Sequence, residues 1–141
     1  MASPFASPQE FHDVIDRLFR IMSEDPEIGP KLREADVPRR FEFEDVDLVL
    51  NVRSGRPDEQ SNLAWEWSDE VGWSPKVRMT MSSKTANRLF QGRENFAYAV
   101  ARRRVKTGGD LKAALELISI TKPIHERYRN LVTQEYPHLR A

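Results

Sequence analysis

Few side chains in this sequence combine the type and the spacing that chemistry needs. There are 3 histidines, His12, His125 and His138. His12 and Asp16 stand four residues apart, the separation at which two side chains meet on one helix face. Such a pair is half of a metal site at best, and a surface contact is the simpler reading. Glu66, Asp69 and Glu70 form an acidic cluster beside Trp67. Paired carboxylates can do acid–base work. Alternation, however, puts Glu66 on the polar face of a strand and the other two in a loop, so a solvated cluster is expected. Arg102, Arg103, Arg104 and Lys106 make a basic run. Arginines there could hold the phosphates of a CoA or a lipid headgroup through bidentate contacts. The alternative is an exposed edge, where charge also discourages sheet-to-sheet association, and that is the expectation. Gly108-Gly109 reads as a strand-to-helix turn rather than a phosphate cradle. The sequence has no Gly-x-Ser-x-Gly, no phosphate-binding loop and no His-Glu-x-x-His. It has no cysteine, which excludes disulfides, thiolate catalysis and Cys-ligated metals. The expectation is therefore no catalytic residue, no metal site and no cofactor.

Composition narrows the field further. The chain carries 22 basic and 22 acidic residues, so no global field draws in nucleic acid or an anionic surface. Its 141 residues, 39% of them apolar, are enough to bury a real core, and one domain over residues 1–141 is expected. No segment approaches the roughly 20 apolar residues that a membrane span needs. The stretch Met1 to Ala6 lacks the basic start and apolar run of a signal peptide, which makes the cytoplasm the expected location.

The elements that must position any site follow from periodicity. Ser7-Pro8-Gln9-Glu10 has the cap, the proline and the third-position glutamate of a helix start. Phe11, Val14, Ile15, Leu18, Phe19 and Met22 then recur at helical spacing, predicting a helix over about 8–24. Asp25-Pro26 opens a shorter helix over 26–35. Phe41 and Phe43 alternate with polar residues, and Leu48, Leu50 and Val52 alternate on the opposite parity. The phase change across Glu44–Asp47 predicts two strands joined by a tight turn. Leu63, Trp65 and Trp67 mark a third strand, and Val77, Met79 and Met81 a fourth. Each strand is apolar on one side only, whereas a sheet covered on both faces would show continuous apolar runs. The reading is an α+β fold, a mainly antiparallel sheet with helices packed on one face. Asp110 caps a last long helix in which Leu111, Leu115 and Ile118 form the main stripe, with Leu117 and Ile120 off it. A helix apolar nearly all round is deeply buried or faces a greasy cavity.

The order of elements from residue 77 to 122 carries a resemblance. The strand Val77-Arg78-Met79-Thr80-Met81-Ser82, the helix closed at Phe90-Gln91-Gly92, the basic strand Arg104-Val105-Lys106, and Gly109 before the last helix resemble the sterol carrier protein type 2 family. The match covers residues 38 to 122, and more loosely the first helix. The loop Ser68 to Pro75 and Thr121-Lys122-Pro123 look like a subgroup common among stand-alone bacterial members. One departure is Arg103, which stands where the family often has glycine. The resemblance implies a five-stranded mixed sheet and an apolar cavity or tunnel between sheet and helices, with Met79 and Met81 on the tunnel side. It implies an apolar small molecule or lipid as partner.

Trp65, Trp67, Met79 and Met81 either fill an ordinary core or line that cavity; methionine suits irregular ligands, while large apolar residues are core in any domain. Phe90, Phe96, Val100, Leu111, Leu115 and Ile118 complete the candidate lining. The expected function is non-catalytic binding or transfer of a fatty acid, acyl-CoA or similar molecule. The alternatives are a small cavity protein that shapes or transforms an apolar metabolite, and an interaction domain with a filled core.

Overall fold

The structure is a computed structural model and describes residues 2–141. Helix α1 (Pro8–Glu24) starts at the expected signal. Ser7 Oγ accepts the Glu10 N–H at 3.1 Å, and the Glu10 carboxylate accepts the Ala6 N–H at 3.0 Å. Every residue of the predicted stripe, Phe11 to Met22, is buried. Helix α2 (Ile28–Ala35) begins against Asp25, whose carboxylate accepts the N–H groups of Glu27 and Ile28 at 2.9 and 2.8 Å. Those are donors that a helix start would otherwise leave unpaired.

Five strands follow in a single sheet: β1 (Arg39–Phe43), β2 (Leu48–Ser54), β3 (Leu63–Trp67), β4 (Val77–Met81) and β5 (Val105–Gly109), in the spatial order β3-β2-β1-β4-β5. All neighbours run antiparallel except β1 and β4. Phe41 is flanked in register by Leu50 and Met79. Strand alternation thus gathers Phe41, Phe43, Leu50, Val52, Val77, Met79 and Met81 on one buried face. Helix α1 covers it: Phe11 meets Phe43 edge-on with ring centroids 4.7 Å apart, and Phe19 meets Phe41 at 5.9 Å. The other face carries Arg40, Glu42, Arg78 and Thr80. The loop after β3 crosses part of it, accepting hydrogen bonds from Arg40 at Asp69 O and from Asn51 at Ser68 O, both 2.7 Å.

Helices α3 (Ser83–Phe90) and α4 (Phe96–Ala101) lie between β4 and β5, capped by Ser82 and Asn95. The glycine pair is not the turn that the sequence suggests. Gly108 and Gly109 stay in β5, opposite Arg78 and Val77. Gly109 has φ +85°, and a Cβ there would collide with the Lys76 carbonyl, so the close approach of two backbones requires glycine. Asp110 then caps α5 (Leu111–Thr121), accepting the Ala113 N–H at 3.0 Å.

Helix α5 does not bury its expected stripe. Ala113, Ala114 and Leu117 face inward, while Leu111 and Leu115 are 53% and 47% exposed. A helix with apolar residues on nearly every side offers several faces, and here the one with the two alanines and Leu117 is buried. Helix α6 (Ile124–Glu135) follows Pro123 and ends in a 3-10 turn, Pro137–Leu139. A buried polar network ties this end to α3. Tyr128 Oη donates to Asn87 Oδ1 at 2.8 Å, and the Asn87 and Gln91 amides both donate to the Leu139 carbonyl, at 2.8 and 2.7 Å. Among the described residues, no helix is long and apolar enough to cross a membrane.

Candidate functional site

Between the apolar sheet face and the helices lies a narrow, partly open cleft of about 80 Å³. Phe41, Met79 and Met81 line it from the sheet, Phe19 and Met22 from α1, Leu89 and Phe90 from α3, Phe96 from α4, and Leu117 and Ile118 from α5. Methionine recurs here for a physical reason: unbranched, polarisable side chains fill irregular space and yield to a changing occupant.

Few polar side chains border the cleft. Thr121 turns its hydroxyl back onto its own helix, donating to Leu117 O at 2.9 Å. Glu94, just before α4, is engaged by Arg88 at 3.4 Å and by Arg104. The hydrogen bond from Arg104 holds its carboxyl below the usual range, against an opposing effect of burial. His125, at the start of α6, is half-buried, and burial pushes its imidazole below the ordinary value, with Arg129 and Lys122 adding to the effect. Arg39, the first residue of β1, is 3% exposed. Burial pushes its guanidinium down to about 10, which leaves it charged at neutral pH. Among the described residues, no cluster of three or more His, Asp or Glu side chains is arranged to hold a metal ion.

A larger groove of about 300 Å³ lies on the other face of the sheet, between Arg53, Arg56, Glu66 and Trp73. Its walls are polar, and Arg53 is neutralised there by Glu59 at 2.7 Å. It offers no apolar interior, and the cleft does.

Of the residues singled out from sequence, Met79, Met81, Phe90, Phe96 and Ile118 line the cleft. Trp65 and Trp67 turn to α1 instead, where both indole N–H groups donate to Asp16 Oδ1, at 2.7 and 3.1 Å. Val100 is half-buried against the core outside the lining, and Leu111 and Leu115 sit on the outer surface of α5. The His12–Asp16 pair does not form: His12 stacks near the Trp67 ring at 4.5 Å and contacts Asp13. Glu66, Asp69 and Glu70 are exposed, as are Arg102 to Arg104 in the turn before β5. Sequence reading missed Phe19, Met22, Phe41, Leu89, Leu117 and the polar border. Phe19, Met22 and Phe41 were in view as core stripes. Arg39 had a signal too, since it shares strand parity with Phe41 and Phe43.

The arrangement has solved counterparts. The SCP2 structure of UbiJ, a ubiquinone synthesis protein, superposes with TM-score 0.62 and 10% identity over 83% of this chain and 96% of that one. The sterol carrier protein domain 2 of Helicoverpa armigera superposes with TM-score 0.55 and 14% identity, over 90% of this chain and 97% of that one. This chain has the sterol carrier protein 2 fold. A stereoselective inverting sec-alkylsulfatase of Pseudomonas sp. also matches, with TM-score 0.61 and 15% identity over 75% of this chain. This chain spans only 16% of that enzyme's length. The sequence itself matches no protein-family profile and no curated protein. At such identities the likeness concerns the fold, and the residues around this chain's cleft stand on their own geometry.

Proposed function

We propose that this sterol-carrier-like domain binds and carries a lipid-like apolar molecule, without catalysis, in the cleft between β4, α3, α4 and α5. The observation that carries the reading is the cleft itself: an apolar opening between sheet and helices, walled by Met79, Met81, Phe90 and Phe96. Its volume of about 80 Å³ is below the ~150 Å³ that admits benzene in an engineered cavity elsewhere. A chain-like ligand therefore enters as half-buried Leu89, Phe90 and Ile118 give way, and the two sheet-side methionines adapt to it. The residues bound to the ligand in this reading are Met79, Met81, Phe90, Phe96 and Ile118, joined by Phe19, Met22 and Leu117.

Titration of a fluorescent fatty acid against the protein tests this. The expected result is saturable binding, displaced by unlabelled acyl chains. No saturable binding of fatty acids, acyl-CoAs or sterols would favour a filled-core interaction domain. A second reading, transformation of an apolar metabolite, has one observation in its favour: Glu94 and His125 both border the cleft. Turnover of a bound ligand by the purified protein would decide for it.

A further inference from the structure

The zero net charge of the chain conceals two opposed halves. Residues 1–75 carry 17 acidic and 8 basic side chains, and residues 76–141 carry 5 and 14. The sheet turns that division into a polarity in space. Strands β1, β2 and β3 come from the acidic half, β4 and β5 from the basic half, and the order β3-β2-β1-β4-β5 keeps them on opposite sides.

On the sheet face away from the helices, the polarity coincides with a step in shape. The connection from β3 to β4 crosses that face over β2 and β1, held by Asn51 at Ser68 O and by Arg40 at Asp69 O. It raises Asp69 and Glu70, both exposed, beside exposed Glu66 of β3. The β4–β5 side is open. Arg78 and Lys106 are exposed there, and a Cβ added at Gly108 would meet only the Arg78 Cβ, 3.8 Å away. Exposed Arg102 and Arg103 extend the positive side into the turn before β5. Among the described residues, no side chain pairs with the carboxylates of Glu66, Asp69 and Glu70 or with the cations of Arg78 and Lys106.

We propose that this face is the interface of a two-fold dimer of the chain. β1 is the middle strand, and a two-fold axis along it lays β3 of one copy over β5 of the other. The raised acidic connection of each copy then rests on the open basic step of its partner. Glu66, Asp69 and Glu70 meet the partner's Arg78 and the partner's Lys106, once on each side of the axis. A two-fold contact uses the same patch on both copies, and a patch acidic at one end and basic at the other complements itself under that rotation. Zero net charge leaves no overall repulsion to oppose it. Exposed ion pairs are individually weak and screened by salt, so the dimer is weak and salt-sensitive. The cleft lies on the other face of the sheet, and the contact leaves it free.

Sedimentation velocity of the full chain at rising protein concentration tests this. At about 0.01 M salt, where screening sets in over about 30 Å, the protein should shift from monomer to dimer and no further; at about 1 M, where that length is about 3 Å, it should return to monomer. Arg78→Glu with Lys106→Glu makes both ends of the face acidic, and Asp69→Lys with Glu70→Lys makes both basic. Each double variant alone should stay monomeric at low salt, and an equimolar mixture of the two should dimerise. Circular dichroism checks folding, and the wild-type salt series decides even if a variant does not fold. A wild-type protein that stays monomeric at low salt, one that grows past the dimer, a dimer that high salt leaves intact, double variants that dimerise alone, or a mixture that stays monomeric overturns the proposal. A monomeric protein that binds phosphatidylglycerol vesicles, and loses them in the Arg78→Glu, Lys106→Glu variant, overturns it in favour of a lipid surface at the basic end. Ligand binding in the cleft stands or falls separately.

Discussion

The indole N–H of Trp65 donates to the carboxylate of Asp16 at 2.7 Å, across 49 positions of sequence. Trp67 donates to the same oxygen at 3.1 Å. One acidic side chain on α1 thereby sets the position of the helix over edge strand β3, and two tryptophans that could have faced a ligand serve the scaffold. Hydrogen bonds to a charged group are worth about 1.5–3 kcal/mol, and a part-buried donor left without a partner is destabilising. Asp16→Ala should lower unfolding stability by about 1–3 kcal/mol, and Asp16→Asn, which keeps an acceptor oxygen, by less. Urea unfolding followed by tryptophan fluorescence measures both.

Helix α5 offers a test of which face is inside. Leu117 is 4% exposed and Leu115 is 47% exposed. Leu117→Ala should cost about 2–5 kcal/mol, as truncation in a packed core does. Leu115→Ala should stay within about 0.5 kcal/mol of wild type, as surface substitutions do. Leu115→Trp should be tolerated, since its ring has solvent beside it. Thermal unfolding of the three variants is sufficient; a severe loss in Leu115→Trp would contradict the exposed placement.

Arg103 has φ 59°, in the left-handed region that glycine enters freely and other residues rarely. The turn before β5 adopts this conformation without the residue that suits it. Arg103→Gly should relieve strain and raise stability by up to about 1 kcal/mol, read as an increase in Tm. Arg103→Val, β-branched, should lower it.

Two groups predict the pH response. His125 is held below its ordinary value of 6.5, mainly by burial. The unfolded chain takes up that proton first, so stability is complete above pH 6.5 and falls as pH drops through that value. His125→Gln should flatten this part of the profile. Glu59, held at about 2 chiefly by the hydrogen bond from Arg53, acts lower. Its contribution is present above pH 4.5 and is lost as pH falls toward 2. Denaturant midpoints measured across both windows, with Glu59→Gln as the second control, separate the two.

Much of this fold was legible because local signals agreed with one another. Ser7 and Glu10 cap α1 as their spacing implies, and the parity change between Phe43 and Leu48 marks the turn that reverses the chain. The periodic stripes also placed Met79 and Met81 on the covered face of the sheet. What was not legible depends on contacts between distant elements. Periodicity in α5 cannot choose among several apolar faces, and the one it buries holds Ala113, Ala114 and Leu117. Alternation places Trp65 and Trp67 on the inward side of β3, yet only the meeting with Asp16 shows that they belong to the α1 contact. Arg39 breaks the apolar parity of β1, and that break points to the cleft only once the helices are in place.

The most direct measurement uses the methionines. Met22, Met79 and Met81 all border the cleft, and methyl-labelled methionine gives each a separate NMR signal. On titration with dodecanoic acid, these three signals should shift together and saturate with a single Kd. Saturable binding that leaves all three unmoved, or no saturable binding of fatty acids, acyl-CoAs or sterols, would contradict a ligand-binding cleft between the sheet and its helices.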